Sequence, residues 1–350
     1  MKLAQVRIVG TGLIGTSIAL GLARLGVKID ITDSDPVHER LARDLLEGSL
    51  ASGAPDLVVI ATPPNSIFQV LQEEFRTYPD AMFIDVGSVK TELLVQVEQL
   101  PALAKRFLGT HPMAGRESGG ARSAQSDLFN GRAWIVTPTS VTEGRVRETF
   151  SELARCLGAI EYEMGGREHD DLMASISHLP QVLSTALAES LQSSSRLDLA
   201  GQGLRDMVRI AASDPKLWSE ILLANKRSII DAIERFSTKL SELKKSIEQN
   251  DEEEINSHFV NGAKERARVS GKHGAQPRNY VELLIVIEDR PGQLSALFQH
   301  CAEVDANIED LSIEHSPGQE TGLISLSFSP MDAERVTTHL QSHGWKVHQA

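Results

Sequence analysis

The sequence is short of cysteine, of positive charge and of long apolar runs. Only two of its 350 residues are cysteines, Cys156 and Cys301, and each lies in its own apolar helical stretch. We expect two buried free thiols in a reducing compartment rather than a disulfide framework. Lysine and arginine number 35 against 48 aspartates and glutamates, and the resulting net charge of −13 argues against nucleic acid or an anionic membrane as a partner.

Membrane-spanning and metal-binding patterns are missing as well. The chain has no stretch of about 18 consecutive apolar residues and no evident cleavable leader, so we expect a soluble, cytoplasmic protein. Histidines and acids are scattered, and neither cysteine has a Cys or His partner at ligand spacing, so the sequence predicts no metal site. An anionic substrate would need a local group of Arg or Lys to hold it against the acidic charge of the chain.

The first positive feature is a glycine fingerprint. Gly10, Gly12 and Gly15 form G-x-G-x-x-G directly after an apolar strand pattern and at the start of a helical one. The first glycine permits a tight turn, the second removes a Cβ that would block a pyrophosphate, and the third lets the helix pack on the strand. Together with Leu13 and Ile14, which open the helix, these glycines form the predicted dinucleotide site.

An acidic residue indicates which dinucleotide binds. Asp33 ends the second predicted strand, 18 residues after Gly15. A carboxylate at this place can accept both ribose hydroxyls of NAD and would repel a 2′-phosphate. The sequence therefore predicts NAD as the cofactor.

The pattern of apolar residues predicts three domains. An α/β dinucleotide-binding domain of Rossmann type is expected over 1–165, an all-α dimerisation and substrate domain over 166–270, and a small α+β domain of βαββαβ order over 279–350, after a linker at 270–277. Apolar runs suit strands buried on both faces of a parallel sheet. The predicted strands of the first domain are 3–9, 27–32, 56–61, 81–86, 106–110, 132–137 and 158–163, and the predicted helices of the second are 168–193, 197–212, 216–247 and 251–269.

Two loops at predicted strand ends carry candidate chemistry. His111, in the loop Gly109 to Glu117, could accept a proton from a substrate hydroxyl as hydride leaves the same carbon, or it could cap a turn. Ser88, between Asp85 and Lys90, could hydrogen-bond the substrate or orient the histidine, or it could N-cap the next helix.

The helical segment offers further candidates. Arg209 could pair with a substrate carboxylate through its guanidinium fork, or form an interface salt bridge. His178 and Gln181 lie three residues apart on one helical face, where they could reach a cleft, or His178 could be a core histidine. In the last domain, Gly292 precedes a helix whose N–H groups suit a ligand carboxylate, or it is a plain turn.

These residues resemble a known family over essentially the full length of the chain, the prephenate and arogenate dehydrogenases of tyrosine biosynthesis. The histidine-proline-methionine loop and the arginine helix, in this order, carry most of the likeness, and the βαββαβ segment resembles an ACT domain. The matching stretches are Gly10 to Ser17, Asp85 to Lys90, Gly109 to Gly115, Gly131 to Pro138, Ser177 to Pro180 and Arg205 to Ala211.

The resemblance implies an NAD-dependent oxidative decarboxylation of prephenate to 4-hydroxyphenylpyruvate. His111 would be the catalytic histidine, Ser88 would lie beside it, and Arg209 would bind a substrate carboxylate. A homodimer through the helical segment and feedback by an amino acid, most simply tyrosine, are also implied.

Two positions depart from the family pattern, and other functions stay open. Family members often have threonine where this chain has Val208, and a second histidine where it has Gln181. The second difference leaves open arogenate as the substrate, with tyrosine as the direct product. The remoter alternatives are a β-hydroxyacid-type dehydrogenase, with Lys226 as its lysine, and a dinucleotide and amino-acid sensor without catalysis.

Overall fold

The computed structural model describes residues 3–115, 120–194, 196–269, 280–288, 290–315 and 321–349. The chain divides into two compact units, Met1–Asn250 and Asp251–Ala350. The three domains therefore remain a prediction, because contacts between residues group the chain into only two units. The predicted linker 270–277 lies outside the described residues.

A seven-stranded sheet forms the centre of the first unit, in the order β2-β1-β3-β4-β5-β6-β7. All four residues of β3 are buried, and apolar clusters cover both faces of the sheet, as expected for a doubly wound fold. The strands are β1 Gln5–Val9, β2 Lys28–Thr32, β3 Leu57–Ile60, β4 Met82–Asp85, β5 Phe107–Pro112, β6 Ala133–Pro138 and β7 Ile160–Glu163. The flanking helices are α1 Leu13–Arg24, α2 Pro36–Leu45, α3 Ile67–Thr77, α4 Thr91–Glu98, α5 Pro101–Arg106 and α6 Gly144–Cys156.

The expectation of a parallel sheet holds for β1 to β5 and is wrong for β6. This strand runs antiparallel to β5, and β7 then runs parallel to β6. A parallel pair needs a crossover, usually helical, between its strands. The described part of the β5–β6 connection contains only the short 3₁₀ turn Ala121–Ser123, which is not such a crossover.

The strand order also locates a crevice. β1 lies between β2 and β3, so the chain changes direction along the sheet at this point. Ligands of open α/β sheets bind at the carboxyl ends of the strands beside such a switch point. The glycine fingerprint directly follows β1, so it lies at this end of the sheet.

Helices make up most of the rest of the first unit, and three of the predicted helices are interrupted, among them 197–212, which is not helical at residues 200 and 201. The elements are α7 Gly166–Met173, a π-helical turn Ala174–His178, α8 Leu179–Ser190, α9 Gln202–Val208, a 3₁₀ turn Arg209–Ala212, α10 Pro215–Ala224 and α11 Lys226–Glu248. Pro180 cannot donate the usual helical hydrogen bond, and the wider π turn just before it lets α7 and α8 continue as one rod.

Asn225 breaks the helix that the sequence predicts over 216–247. Its side chain is buried, donates to the main-chain oxygen of Asp170 at 2.8 Å and lies 3.2 Å from Nδ1 of His178. Asp170 belongs to α7 and His178 to the π turn that follows it. The break at Asn225 lets the amide of its side chain reach both residues. Apolar spacing did not reveal this interruption, because α10 and α11 keep a continuous apolar pattern across it.

The second unit confirms the predicted βαββαβ order. Its four strands form an antiparallel sheet in the order β11-β8-β10-β9, and one apolar cluster packs the two helices on it. The elements after α12 Glu252–Arg268 are β8 Val281–Glu288, α13 Gln293–Glu303, β9 Asp310–His315, β10 Thr321–Phe328, α14 Pro330–Ser342 and β11 Lys346–Gln349.

The two cysteines differ in exposure. Cys301 is buried in α13, and burial raises the pKa of its thiol to about 11. Cys156 is exposed at the end of α6, so the expectation of two buried thiols is wrong for this residue. No helix within the described residues has the length and apolar character needed to cross a bilayer.

Candidate active site

Two glycines of the loop, Gly10 and Gly15, make the close contacts that were predicted for them. Gly10 has a φ of +106°, and a Cβ on it would lie 2.4 Å from the main-chain oxygen of Ala61 after β3. A Cβ on Gly15 would lie 2.1 Å from the oxygen of Gly10. The loop is therefore held against its neighbouring strand at a distance that only glycine allows.

Gly12 is different, because it faces open space. A Cβ there would meet no heavy atom within 4 Å, and the residue caps the N-terminus of α1, whose first turn contains no acid. The site therefore fits a pyrophosphate approached by backbone N–H groups. Leu13 is buried in the core and the partly buried Ile14 packs against it, which favours a contribution to binding through their main-chain atoms.

Asp33 is bonded to the same loop. Its Oδ2 accepts from the main-chain N–H of Thr11 at 2.6 Å and from the Thr11 hydroxyl at 2.8 Å, and Oδ1 accepts from Asp35 N–H. Burial alone would raise the pKa of Asp33, but these hydrogen bonds hold it below its usual value. The carboxylate is thus ionised beside the glycine loop, as recognition of ribose hydroxyls requires.

His111 lies at the end of β5 and begins a line of three side chains. Its Nδ1 is 2.9 Å from Nε2 of His169, and Nδ1 of His169 is 2.8 Å from Oδ1 of Asp170. His169 and Asp170 are buried in α7, whereas His111 is partly buried. The structure therefore joins the end of a strand to the first helix of the helical segment.

The carboxylate of Asp170 also caps another helix. It accepts the main-chain N–H groups of Lys90 and Thr91, both at 2.8 Å, at the N-terminus of α4. Burial raises the pKa of Asp170, yet the hydrogen bonds it accepts from His169, Thr91 and Lys90 hold that pKa below its usual value. The alternative that Ser88 caps this helix is wrong, because Asp170 provides the cap; Ser88 itself is partly buried beside it.

An ionised Asp170 fixes the protons along the line. It accepts Nδ1–H of His169, so neutral His169 has a lone pair on Nε2, and this lone pair accepts Nδ1–H of His111. Nε2 of His111 is then the unprotonated nitrogen. Because the orientation of each ring follows from its neighbour, the set resembles the base-and-orienter arrangement of a catalytic triad.

Burial and neighbouring charges keep His111 neutral. Burial is the largest cause that holds the pKa of His111 well below its ordinary value, and His169 and Lys90 lower it further. Lys90 is fully buried in an ion pair with Asp85, whose Oδ1 also accepts the N–H of Thr110 next to the histidine. This pair fixes the loop after β4 to β5.

His178 is a core histidine close to this group. It is buried, its Nδ1 faces the amide of Asn225, and burial lowers its pKa to about 4. The amide of Asn225 also donates to the main-chain oxygen of Asp170, which connects His178 to the line of histidines. A role in substrate binding stays a prediction.

Gln181 supports the segment that carries Arg209. Its buried amide donates to the oxygen of Ile210 at 2.8 Å and accepts from the hydroxyl of Ser213 at 3.3 Å. Arg209 is exposed at the start of the 3₁₀ turn, which leads into α10, and α10 contacts the turn Pro64–Ser66 after β3. The arginine segment is therefore held against the carboxyl edge of the sheet.

The remaining candidates belong to the second unit or lie outside the described residues. Gly292 caps α13 in the second unit with a left-handed φ of +91°, and a Cβ there would meet nothing within 4 Å. Arg116 and Glu117, the end of the histidine loop, lie outside the described residues. Sequence reasoning missed His169, although its position next to an acid at the start of a helix was a usable indication.

Comparisons with known proteins show what the chain is similar to. Residues 18–161 match the family model for the nucleotide-binding domain of prephenate dehydrogenase, and residues 166–261 match the model for its dimerization domain. The prephenate dehydrogenase of Bacillus subtilis is 29% identical over 93% of this chain and 92% of its own length.

Solved structures show the same likeness. The crystal structure of prephenate dehydrogenase from Aquifex aeolicus, in complex with hydroxyphenyl propionate and NAD+, has a TM-score of 0.71 and 30% identity. It covers 77% of this chain and 99% of its own. Synechocystis arogenate dehydrogenase has a TM-score of 0.65 and 25% identity, over 75% of this chain and 98% of its own.

Two glycine variants separate the folding role of the loop from its binding role. Gly12→Ala should change the free energy of unfolding by no more than about 0.5 kcal/mol, because its Cβ enters open space, yet weaken NADH binding about tenfold or more. Gly10→Ala should cost at least about 1–3 kcal/mol through backbone strain. Fluorescence titration and denaturant unfolding measure the two effects, and unchanged NADH affinity in Gly12→Ala would contradict the assigned site.

Proposed function

The chain belongs to the prephenate dehydrogenase family, and from this premise we propose that it converts prephenate to 4-hydroxyphenylpyruvate with NAD as the oxidant. The observation that carries the proposal is the His111–His169–Asp170 line at the carboxyl edge of a dinucleotide-binding sheet. It supplies an oriented, neutral base near the place where the cofactor would lie. The glycine loop and Asp33 would hold that cofactor.

His111 acts on the hydroxyl proton of the substrate. Bound NAD supplies the acceptor for the hydride that leaves the ring carbon bearing this hydroxyl. Nε2 of His111 accepts the hydroxyl proton, and His169 and Asp170 stabilise the charge that appears on the imidazole. Loss of CO₂ leaves its electron pair in the ring, which becomes aromatic, and the proton returns to the phenolate oxygen.

Substrate recognition would rest on Arg209 and its surroundings. An exposed guanidinium on a segment held at the carboxyl edge of the sheet suits a substrate carboxylate. Gln181 has its amide engaged with Ile210 and Ser213, which makes it a support for this segment. We also propose that Gln181 and His178 contact the substrate directly. Ser88 would contact it beside His111.

Arogenate is the second candidate substrate. It differs from prephenate in having an amino acid in place of a keto acid, and Gln181 stands where family members often have a histidine. The Synechocystis relative shows that the fold also occurs in an arogenate dehydrogenase.

We also propose a homodimer. The helical segment matches a dimerization domain, and its long helices expose large apolar side chains: Phe236, Leu240, Ile247, Phe259 and Val260. Burial of these side chains against a second copy would remove them from water. Sedimentation should therefore give twice the chain mass of 38.2 kDa, and a monomer at micromolar concentration would contradict the proposal. The cytoplasmic location stays a prediction.

The function is tested by NADH absorbance on adding prephenate, then arogenate, to the protein with NAD+. We expect turnover with prephenate. A higher kcat/KM with arogenate than with prephenate would make arogenate the preferred substrate.

Arg209→Ala should raise the substrate KM about tenfold or more, because it removes a charge-assisted pair worth about 1.5–3 kcal/mol. Lys226→Ala, a change at an exposed lysine at the start of α11, is the control for the β-hydroxyacid alternative and should leave turnover unchanged. Absence of turnover with either substrate would contradict the proposal and leave the β-hydroxyacid-type dehydrogenase and the sensor.

His169→Phe tests the line of histidines, because it keeps the ring volume and removes the acceptor for His111. We expect kcat to fall by roughly 10²–10³, approaching the 10²–10⁴ loss expected for His111→Asn, with NADH affinity unchanged. Since burial keeps His111 neutral, kcat/KM of the wild type should stay flat through pH 6.5 and fall only at a lower pH. His348→Phe, at an exposed histidine of β11 in the second unit, is the matched control. A His169→Phe rate within about threefold of wild type would remove the assigned role.

The second unit is proposed to bind tyrosine as a feedback inhibitor. The βαββαβ order and the left-handed Gly292 at the start of α13 support an amino-acid site of ACT type. Tyrosine added to the full-length enzyme should lower its rate, while glycine at the same concentration should not. Equal rates with both amino acids would contradict this effector.

A further inference from the structure

The carboxyl ends of α13 and α14 bring three histidines together in the second unit. His300 and Glu303 lie one turn apart on α13, His339 lies in the last turn of α14, and His343 directly follows that helix. The ligand nitrogens that the three histidines can offer lie within 4.8 Å of one another. The sequence predicts no metal site, and 36 residues separate Glu303 from His339.

Three ligand atoms form a triangle of the size that a metal requires. Nδ1 of His300 is 3.1 Å from Nε2 of His339, and Oε2 of Glu303 is 3.1 Å from the latter and 3.3 Å from the former. Tetrahedral zinc with bonds of about 2.0–2.1 Å places its ligand atoms about 3.3 Å apart. One ion can therefore contact all three atoms without a change in the backbone.

His343 offers a further nitrogen, which lies within 4.8 Å of the ligand nitrogens of His300 and His339. Its Nδ1 donates to the main-chain oxygen of His339 at 2.8 Å, and the ring centroids of the two histidines are 4.3 Å apart. A metal-binding histidine commonly donates its second ring N–H to a carbonyl in this way, which leaves the other nitrogen as the ligand. The tautomer that puts the lone pair on Nε2 is thus fixed by the end of α14.

The three short contacts of this cluster compete for the ring protons. If both ring nitrogens of the triangle donate to Glu303, two N–H groups face each other at 3.1 Å. If one ring donates to the other, its proton is directed away from the carboxylate. A cation at the centre accepts a lone pair from all three atoms at once, and its charge is favoured at the carboxyl ends of two helices.

We propose that His300, Glu303, His339 and His343 bind one Zn²⁺. Three imidazoles and a carboxylate are a borderline-soft ligand set that suits zinc. All four ligands come from the protein, so the site is closed, and its role is to clamp α13 to α14. The proposal concerns the second unit and does not depend on the dehydrogenase function.

The test uses the full-length protein, treated with EDTA and then dialysed. Calorimetric titration with Zn²⁺ should show one tight equivalent, and Co²⁺ in its place should give the intense visible absorption of a tetrahedral site. His343→Ala removes an exposed ligand and should weaken Zn²⁺ binding at least about 100-fold. His339→Ala should remove the Co²⁺ absorption altogether.

His348→Ala is the matched control, since it removes an exposed histidine of β11 in the same unit. It should bind Zn²⁺ as the wild type does. In the wild type, Zn²⁺ should raise the thermal midpoint of unfolding, and in His343→Ala this shift should be lost. Equal Zn²⁺ affinity in all of these proteins, no tight equivalent in the wild type, or a weak octahedral Co²⁺ spectrum would each overturn the proposal.

Discussion

The carboxylate of Asp170 is the interaction on which the arrangement of the site depends. It accepts two main-chain N–H groups at the start of α4 and one ring N–H from His169. The free N–H groups of a helix start stabilise a negative charge, and this charge determines which nitrogen of His169 bears the proton. The orientation of His111 follows from His169. The N-terminus of α4 thus determines, through Asp170 and His169, which ring nitrogen of His111 on β5 is protonated.

The surroundings of His111 explain how an acidic chain keeps a neutral base. Histidine next to several carboxylates would normally gain a proton, because the negative charge stabilises the imidazolium. Here Asp85 is paired with Lys90 and Asp170 is saturated with donors, so neither is left to act on His111 as an isolated charge. Burial then dominates, and the base is available at neutral pH.

The sequence predicted the local features and missed those that depend on contacts between distant segments. The glycine loop, Asp33, the strand bounds and the position of His111 follow from motifs and apolar spacing, and the structure agrees with them. The helix break at Asn225, the π turn before Pro180 and the antiparallel β6 arise from tertiary contacts or connections that apolar spacing does not encode. His169 was missed for the same reason, since its partner His111 is 58 residues away. Apolar spacing also could not show that the amide of Gln181 donates to the main chain of the arginine segment, while its contact with the substrate stays a prediction.

The double attachment of Asp33 has an evolutionary consequence. This carboxylate is suited to read the ribose, and it also holds Thr11 in place through two hydrogen bonds. Replacing it with a residue that can bind a 2′-phosphate would also remove the hydrogen-bond acceptor of Thr11. A change of cofactor from NAD to NADP during evolution would therefore pass through a less stable variant, unless positions 11 and 33 changed together. The preference for NAD thus depends on the hydrogen bonds that hold the loop as well as on the charge of Asp33.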